Sequence, residues 1–223
     1  MLNPSQEKVV KHIGKPLLCI AGAGSGKTRT IAYKVAYLIK DLGIDPENLL
    51  VVTFSNKAGQ EIKERVRAVT GTVLPWSGTF HSVAVKLLKT YGVKKGFCKP
   101  FSLLDRGDAD KVLQEILQGR NLGRDQLDKL RKYISDRWED MMDPYDELME
   151  SLMEDYENFL RRNALMDFSY LMKRTVEFLE HFPHVKDHFS YVLVDEFQDT
   201  NTVQYYILKG VSRENVCVVG DPN

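Results

Sequence analysis

The amino-acid sequence predicts an α/β fold in which a parallel β-sheet is flanked by helices and carries an inserted all-helical subdomain. Two observations lead to this prediction. Strand-like and helix-like segments alternate up to about residue 103 and again after residue 166, as in repeated strand–helix units. Between them, residues 104–166 show only helical patterns. We therefore expect one domain formed by residues 1–103 and 167–223, with residues 104–166 as the insertion.

Turn residues and hydrophobic periodicity place the elements of the first part of the chain. Leu49–Phe54 is a β-branched and apolar run, typical of a strand buried on both faces. In the following helix, Ser55 or Asn56 can cap the first turn, and Gly71 ends the last one. In chain order we expect a helix from Pro4 to about Gly14, a strand at Leu17–Ala21, a helix at Lys27–Leu42, the strand at Leu49–Phe54, the capped helix, and a strand or turn at Ser77–His81 that leads into another helix.

The second part of the chain begins in the strand-free stretch, which carries a strongly acidic segment. Asp136–Glu157 contains ten carboxylates and one arginine, so its exposed face should repel a phosphate backbone. We expect this face to be solvated or to bind a protein partner. Beyond the stretch we expect a helix at Tyr170–His181, a strand at Tyr191–Asp195, a helix at about Val203–Gly210 and a strand at Val216–Gly220.

Composition places the chain among globular proteins without identifying its partners. Of its 223 residues, 43% are hydrophobic, which is enough for a buried core. Lys+Arg and Asp+Glu both number 31, so the net charge neither favours nor excludes nucleic acid. The three cysteines lack the spacing of a zinc or iron–sulfur site, and we expect Cys19 and Cys217 in the core as reduced thiols. The sequence has no signal peptide and no apolar stretch of membrane-spanning length, so we expect a cytoplasmic protein without a membrane partner.

A glycine-rich segment between the first predicted strand and the next helix carries the clearest chemical signal. Residues 21–28 read Ala-Gly-Ala-Gly-Ser-Gly-Lys-Thr and fit the pattern G-x-x-x-x-G-K-[ST], with its glycines at Gly22 and Gly26. Such glycines let backbone N–H groups converge on phosphate oxygens at a helix start, which adds partial positive charge. Lys27 can then reach the β- and γ-phosphates, and the Thr28 hydroxyl can bind Mg²⁺.

Two adjacent carboxylates end a predicted strand far along the chain, in Val192-Leu193-Val194-Asp195-Glu196. Asp195 can bind the same Mg²⁺, and Glu196 can activate a water molecule. A kinase, which transfers phosphate, does not need that glutamate, so the pair favours hydrolysis. We therefore expect an ATP-hydrolysing site with ATP and Mg²⁺ as ligands and with Lys27, Asp195 and Glu196 as catalytic residues.

Seven short segments resemble, in the same order, those of superfamily 1 DNA helicases of the UvrD/Rep/PcrA type. They cover nearly the whole chain outside residues 104–166, and the set is far more specific than any one motif. The segments are Leu2-Asn3-Pro4-Ser5-Gln6, the glycine loop with Arg29, Val52–Ala58, Gly78–Ser82, Met166–Phe168, Asp195–Asn201 and Val219–Asp221. The resemblance implies a P-loop, RecA-like 1A domain with a helical 1B subdomain inserted, from a motor that moves 3′ to 5′ on single-stranded DNA.

The resemblance also implies roles that the residues alone leave open. Gln6 would contact the adenine edge, and Arg29 would lie near the base or sugar, although Arg29 alone is equally typical of a helix surface. Gln198 would couple the nucleotide site to the DNA, although it is equally suited to capping the following helix. The loop residues that would contact ATP are Gly22, Ala23, Gly24, Ser25, Gly26, Lys27 and Thr28.

Two of the matching segments would bind single-stranded DNA. Phe54 and Phe80 offer faces for base stacking, although a phenylalanine that ends a buried strand usually belongs to the core. Polar neighbours of these rings would contact phosphates or add positive charge: Asn56, Lys57, Thr79, His81 and Ser82.

Four residues depart from the family's pattern. Ser55 and Gly59 stand where the family often has Thr and Ala, and Gly59 should loosen its helix by about 1 kcal/mol. Ser169-Tyr170 follows Phe168, where the family tends to have a second acidic pair, and this weakens a functional role for that segment.

The resemblance extends only to the first motor domain, so we expect the chain to be a fragment. A second RecA-like domain of the same polypeptide would supply the arginines that stabilise the transition state, and the fragment alone should bind Mg-ATP weakly and hydrolyse little. Three alternatives stay open: the motor part of a RecB/AddA-type helicase–nuclease, a translocase that displaces proteins without unwinding, and a nucleotide-gated interaction module that does not hydrolyse ATP. The last of these has no need of Glu196.

Overall fold

The computed structural model describes residues 2–22 and 24–221. The α/β class with a parallel sheet is confirmed, and the element bounds lie within three residues of those expected. The helices are α1 Pro4–Lys11, α2 Lys27–Lys40, α3 Asn56–Thr70, α4 Phe80–Leu87, α5 Arg106–Gly119, α6 Leu127–Trp138, α7 Glu147–Arg162, α8 Phe168–His181 and α9 Thr202–Val211. The strands are β1 Leu17–Ile20, β2 Leu49–Thr53, β3 Trp76–Thr79, β4 Ser102–Leu103, β5 Leu165–Met166, β6 Tyr191–Val194 and β7 Val216–Gly220.

These elements form two compact units. One contains the described residues of the stretches 1–83, 182–200 and 208–223, and the other contains residues 84–181 and 201–207. The stretch 104–166, which the sequence predicts to be an insertion, lies within the second unit.

The first unit is built on a five-stranded sheet in the order β1-β7-β6-β2-β3, with every neighbouring pair parallel. All five residues of β2 are buried, as expected for a β-branched run with neighbours on both edges. Side chains of α2 and α3 pack on the sheet, where Val35, Leu38 and Ile62 are fully buried. Because all strands run the same way, the loops that follow them lie at one edge of the sheet.

The expected reduced cysteines of the first unit lie in this sheet. Cys217 of β7 belongs to the core cluster, and Cys19 of β1 packs against it. Both are free thiols, and burial raises the pKa of Cys217 to about 11. The Cys217 thiol is therefore protonated at neutral pH and acts as a small apolar core residue.

The second unit consists mainly of α5, α6, α7 and α8. In α7, Leu152, Tyr156 and Leu160 are fully buried at helical spacing. The expectation that residues 104–166 lack strands is wrong at its last two residues, because Leu165–Met166 pairs in parallel with Ser102–Leu103. A strand of two residues is too short to leave a periodic signal in the sequence.

The acidic segment of this unit forms many internal contacts. Among the described residues, six of its ten carboxylates contact side chains of the same unit: Asp136, Glu139, Asp146, Glu150, Asp155 and Glu157. Several partners are cations, such as Arg137, which pairs with Glu150 at 2.9 Å. These pairs neutralise part of the negative charge that the sequence displays. Binding of a protein partner to this segment stays a prediction.

No helix in the described ranges 2–22 and 24–221 is long and apolar enough to cross a membrane.

Candidate functional site

The sheet order brings three distant parts of the chain to one place. The glycine loop follows β1, Asp195 follows β6, and Asp221 follows β7, which lies between the other two strands. Carboxyl ends of adjacent parallel strands meet at the same edge, so these residues face one another although about 170 residues separate the first two. This juxtaposition is what the two separate sequence motifs require.

Backbone conformation explains the glycines of the loop. Gly24 and Gly26 have φ angles of 73° and 84°, which favour glycine. At Gly26 a Cβ atom would also lie 3.2 Å from Gln6 Nε2. Gly26 is the residue before α2 and has no side chain, so it makes no side-chain cap hydrogen bond to the first-turn N–H groups of α2. Gly22 and Ser25 lie in the same loop, while Ala23 is outside the described residues.

Lys27, the first residue of α2, is held by two carboxylates. Its Nζ lies 3.1 Å from Glu196 Oε2 and 3.6 Å from Asp221 Oδ2, and its side chain is 8% exposed. Burial alone lowers the pKa of Lys27, but the hydrogen bond and charge attraction of Glu196, followed by those of Asp221, outweigh burial and raise it. Lys27 therefore carries a positive charge at neutral pH, as phosphate binding requires.

Thr28 and Asp195 form the pair proposed as metal ligands. Thr28 Oγ1 donates a hydrogen bond of 2.8 Å to Asp195 Oδ2. Asp195 is fully buried, and this burial, more than any neighbouring group, raises the pKa of its carboxyl group. A hydroxyl and a carboxylate side by side are the hard oxygen donors that Mg²⁺ prefers, and a site completed by substrate phosphates needs no more than these. The residues present thus fit Mg²⁺.

Glu196 has an unusual backbone conformation, with φ 53° and ψ 45°. This left-handed turn comes directly after β6, and Glu196 N–H donates to Asp195 Oδ1 at 3.1 Å. Gln198 then bridges two strand ends, because its Nε2 donates to Glu196 Oε2 at 2.9 Å and its Oε1 accepts from Asp221 N–H at 2.9 Å. The predicted base is therefore oriented by both Lys27 and Gln198.

Gln6 joins α1 to the glycine loop. Its side-chain oxygen accepts from Asn3 N–H at 3.0 Å, while Asn3 Oδ1 accepts from Gln6 N–H, which forms a capping box. Its Nε2 donates to the Ser25 carbonyl at 2.9 Å. The amide predicted to contact adenine is thus fixed beside the loop, and its second N–H has no partner among residues 2–22 and 24–221. Arg29 lies further along α2, 5.8 Å from the centroid of the Tyr33 ring.

The residues predicted to bind DNA follow β2 and β3. These strands pair in register at Thr53 and Thr79, so Phe54 and Phe80 come side by side, with centroids 5.5 Å apart and ring planes at 71°. Phe54 is partly exposed, whereas Phe80 is 2% exposed. Base stacking requires an accessible ring, so the partly exposed Phe54 suits it better than the buried Phe80. Stacking on either ring stays a prediction.

The polar residues beside these rings lie at the starts of two helices. Asn56 and Lys57 are exposed in the first turn of α3, and Ser55 caps that helix by accepting from Ala58 N–H. The Thr79 hydroxyl accepts from Ser82 N–H at 3.3 Å, so it is partly used in starting α4. His81 is partly exposed. Because these groups surround helix N-termini, the arrangement suits phosphate binding.

Sequence reasoning missed Asp221 as a site residue. Its carboxylate faces Lys27, and its N–H is bound by Gln198. The signal was present, since Asp221 comes directly after the predicted strand Val216–Gly220, much as Asp195 ends the predicted strand Tyr191–Asp195.

A family model and several curated proteins each match nearly the whole chain. The family model for the UvrD/REP helicase N-terminal domain matches residues 2–223. A protein named ATP-dependent DNA helicase PcrA from Bacillus subtilis is 37% identical over 240 residues, covering 99% of this chain and 32% of the relative. Proteins of the same name from Staphylococcus aureus strain Mu50 and Staphylococcus epidermidis are 33% and 32% identical over 241 residues, and each alignment covers 99% of this chain and 33% of the relative. The chain thus spans about a third of the length of these relatives.

Proposed function

Because this chain belongs to the UvrD/REP helicase N-terminal domain family, we propose that it binds and hydrolyses ATP as part of an ATP-dependent DNA helicase. We propose that residues 1–103 and 167–223 form its RecA-like 1A domain and residues 104–166 its 1B-like insertion. The single observation that carries the proposal is the meeting of Lys27 and Thr28 with Asp195 and Glu196 at one edge of the sheet.

Each of these residues has a part in the proposed reaction. Lys27 would leave Glu196 and Asp221 and bind phosphate oxygens, while the N–H groups of the loop and of the first turn of α2 hold the phosphates. Mg²⁺, bound by Thr28 and Asp195, would neutralise phosphate charge. Glu196, released from Lys27 and oriented by Gln198, would accept the proton of the attacking water. The ion pair between Lys27 and Glu196 thus keeps the two groups together until the substrate separates them.

The finer parts of the proposal concern the longer polypeptide. We propose that it moves 3′ to 5′ along single-stranded DNA, which Phe54 and the starts of α3 and α4 would bind. A second RecA-like domain would complete the ATP site. Arginine fingers raise the rate of related triphosphatases by about 10³–10⁵, so this chain alone, without the arginines of the second domain, should turn over little ATP.

Two substitutions test the division of labour at the ATP site. Lys27→Ala should weaken ATP binding at least about tenfold, since it removes the cation that faces the phosphates. Glu196→Gln should leave ATP affinity equal or slightly higher, because it removes a competitor for Lys27, but should abolish the slow single-turnover hydrolysis. Isothermal titration calorimetry with Mg-ATP and single-turnover assays with excess protein measure these two effects.

Lys40→Ala, at the exposed end of α2, serves as the matched control for Lys27→Ala and should leave ATP affinity unchanged. Equal loss of ATP binding in Lys27→Ala and Glu196→Gln would contradict the assigned roles. Failure of the unaltered chain to bind Mg-ATP would contradict the proposed function itself.

A further inference from the structure

A buried lysine lies on α2, outside the ATP site described above. Lys34 is 2% exposed, and its Nζ lies within hydrogen-bond distance of three backbone carbonyls. It donates to the carbonyl oxygens of Val9 at 3.0 Å, Val10 at 3.5 Å and His12 at 2.5 Å. All three carbonyls belong to the last turn of α1 and the residue that follows it.

The contact stabilises both the carbonyl groups at the end of α1 and the buried ammonium group of Lys34. The last carbonyls of a helix have no partners within the helix, and a cation there interacts favourably with the helix dipole. Burial lowers the pKa of Lys34, so its ammonium group depends on the three carbonyls to replace lost water. Because α1 has only eight residues, it is too short to be stable alone. Lys34 therefore fastens the C-terminal end of α1 to α2.

The other end of α1 carries Gln6. The capping box with Asn3 orients the Gln6 amide, and that amide holds the Ser25 carbonyl of the glycine loop at 2.9 Å. Besides the packing of Val9 on the core, the short helix thus has two polar attachments, to α2 by Lys34 and to the loop by Gln6. If the first attachment is lost, the apolar packing of Val9 and Val10 still holds α1 near α2, but the polar contact that fixes the end of the helix, and with it the position of Gln6, is gone.

We propose that Lys34 is a positioning residue for recognition of the nucleotide base, acting through α1 on Gln6 without contacting the nucleotide. This inference rests on the proposed function, in which Gln6 contacts the adenine edge. The inference predicts an effect on base recognition and none on triphosphate binding. Loss of Lys34 should reduce the preference for adenine over guanine, while the triphosphate contacts of Lys27 and Thr28 remain, because these residues belong to α2 itself.

The test compares three ligands on the unaltered chain and on Lys34→Met, which keeps an unbranched side chain without charge or donors. Calorimetric titration uses Mg-ATP, Mg-GTP and inorganic tripolyphosphate with Mg²⁺. We expect ATP affinity to fall about tenfold, as for one lost hydrogen bond to a ligand, and the preference for ATP over GTP to shrink with it. Tripolyphosphate affinity should stay within about twofold.

Two further variants separate positioning from a general loss of stability. Lys34→Arg can still donate to the carbonyls of α1 and should retain the preference for ATP. In the Gln6→Ala background, Lys34→Met should cause no additional loss of ATP affinity, because both changes act through the same contact. Lys8→Met, on the exposed face of α1, is the control and should behave as the unaltered chain.

Several results would overturn the inference. An unchanged preference for ATP in Lys34→Met, an equal loss of tripolyphosphate affinity, or full additivity with Gln6→Ala would each do so. If circular dichroism shows that Lys34→Met does not fold, Lys34→Gln is measured with the same expectations and the same contradicting outcomes. An unaltered chain that fails to bind ATP contradicts the proposed function, and the inference falls with it. ATP binding with a preference that survives in Lys34→Met contradicts the inference alone.

Discussion

Gln198 joins the ends of two strands beside the proposed catalytic carboxylate. A Cβ atom on Gly220 would lie 3.0 Å from Gln198 Oε1, so a glycine at that position leaves room for the bridge. Through its two amide atoms, Gln198 holds Glu196 after β6 and the Asp221 N–H after β7. The residue that the resemblance assigns to coupling thus also fixes the orientation of Glu196.

Replacing Gln198 by leucine should slow hydrolysis without weakening ATP binding. The change removes the hydrogen bond to Glu196 Oε2 but leaves Lys27 and Thr28 intact. We expect single-turnover hydrolysis to fall about tenfold, as for loss of one orienting hydrogen bond, with calorimetric ATP affinity unchanged. Gln60→Leu on the exposed surface of α3 is the control. A variant that hydrolyses ATP at the original rate would show that Gln198 does not orient Glu196.

Phe54 and Phe80 differ in exposure, which predicts opposite effects of substitution. Phe54→Ala should lower the affinity for single-stranded oligonucleotides by about 1–3 kcal/mol, at little cost to folding. Phe80→Ala should instead lower the free energy of unfolding by about 3 kcal/mol, because its ring is 2% exposed. Fluorescence anisotropy with a labelled oligonucleotide and urea unfolding measure the two quantities. Unchanged DNA affinity in Phe54→Ala would return that ring to a purely structural role.

At the scale of elements, α3 approaches the sheet unusually closely at Gly59. A Cβ atom there would lie 3.1 Å from Thr53 Oγ1 and 3.5 Å from Gly78 Cα. An alanine at position 59 would crowd Thr53 Oγ1 by a few tenths of an ångström, whereas its distance to Gly78 Cα would be an ordinary van der Waals contact. This departure from the family pattern therefore lies at a position where α3 packs closely on β2.

Helix α6 contains a carboxylate whose pKa predicts a pH-dependent stability. Asp136 accepts from Lys132 Nζ at 2.7 Å and from the Tyr145 hydroxyl at 2.6 Å. The hydrogen bond from Lys132, followed by that from Tyr145, holds the pKa of Asp136 below its usual range. An acid with a lowered folded-state pKa stabilises the protein above its unfolded pKa, and this stability is lost as pH falls through the folded value.

Asp136→Asn should accordingly lower the free energy of unfolding by about 1 kcal/mol at pH 7. The difference from the unaltered chain should begin to shrink as the pH falls below the unfolded pKa and should be lost below the lower folded pKa, where Asp136 is protonated in both states. Urea unfolding of both proteins at a series of pH values measures this difference in the free energy of unfolding. The control is Asp128→Asn, whose side chain is 91% exposed and should contribute little. A difference in the free energy of unfolding that stays constant down to the lowest pH would show that the lowered pKa of Asp136 does not stabilise the folded chain.

At the scale of the whole molecule, the nucleotide site is built from the first unit, and its residues come from both ends of that unit's sequence. The chain leaves this unit after Val83, forms the second unit, and re-enters the first at Phe182. The five-stranded sheet is therefore complete only when β6 pairs with β2 and β7 pairs with β1, and each of these two pairs joins strands more than one hundred residues apart in sequence. Such non-local pairing is expected to make folding of the site slow relative to that of the helical unit.

The share of the relatives that this chain covers leads to a prediction about activity. It spans about a third of their length, and in our proposal the second motor domain supplies part of the ATP site. Steady-state ATP turnover by this chain should be at least about 10³-fold slower than turnover by full-length PcrA from Bacillus subtilis. Single-stranded DNA should not stimulate turnover by this chain. A coupled ATPase assay on both proteins decides this. Robust DNA-stimulated turnover by the chain would refute the prediction.

Much of the chemistry was accessible from the sequence because it is carried by short contiguous segments. The glycine loop with Lys27 and Thr28, the Asp195-Glu196 pair and the parallel α/β class all follow from residue order and periodicity. Local features such as the Ser55 cap and the Gly71 helix end were equally readable. In each case the atoms that determine the structure lie within a few residues of one another.

Only the tertiary structure decided which of these segments meet and which side chains are covered. It placed Asp221 opposite Lys27, buried Phe80 beside a more exposed Phe54, and enclosed Lys34 under the end of α1. No local pattern distinguishes Phe54 from Phe80 or Lys34 from the exposed lysines of neighbouring helices. Their surroundings depend on strand order and on helix packing, which sum many weak contacts between residues distant in sequence.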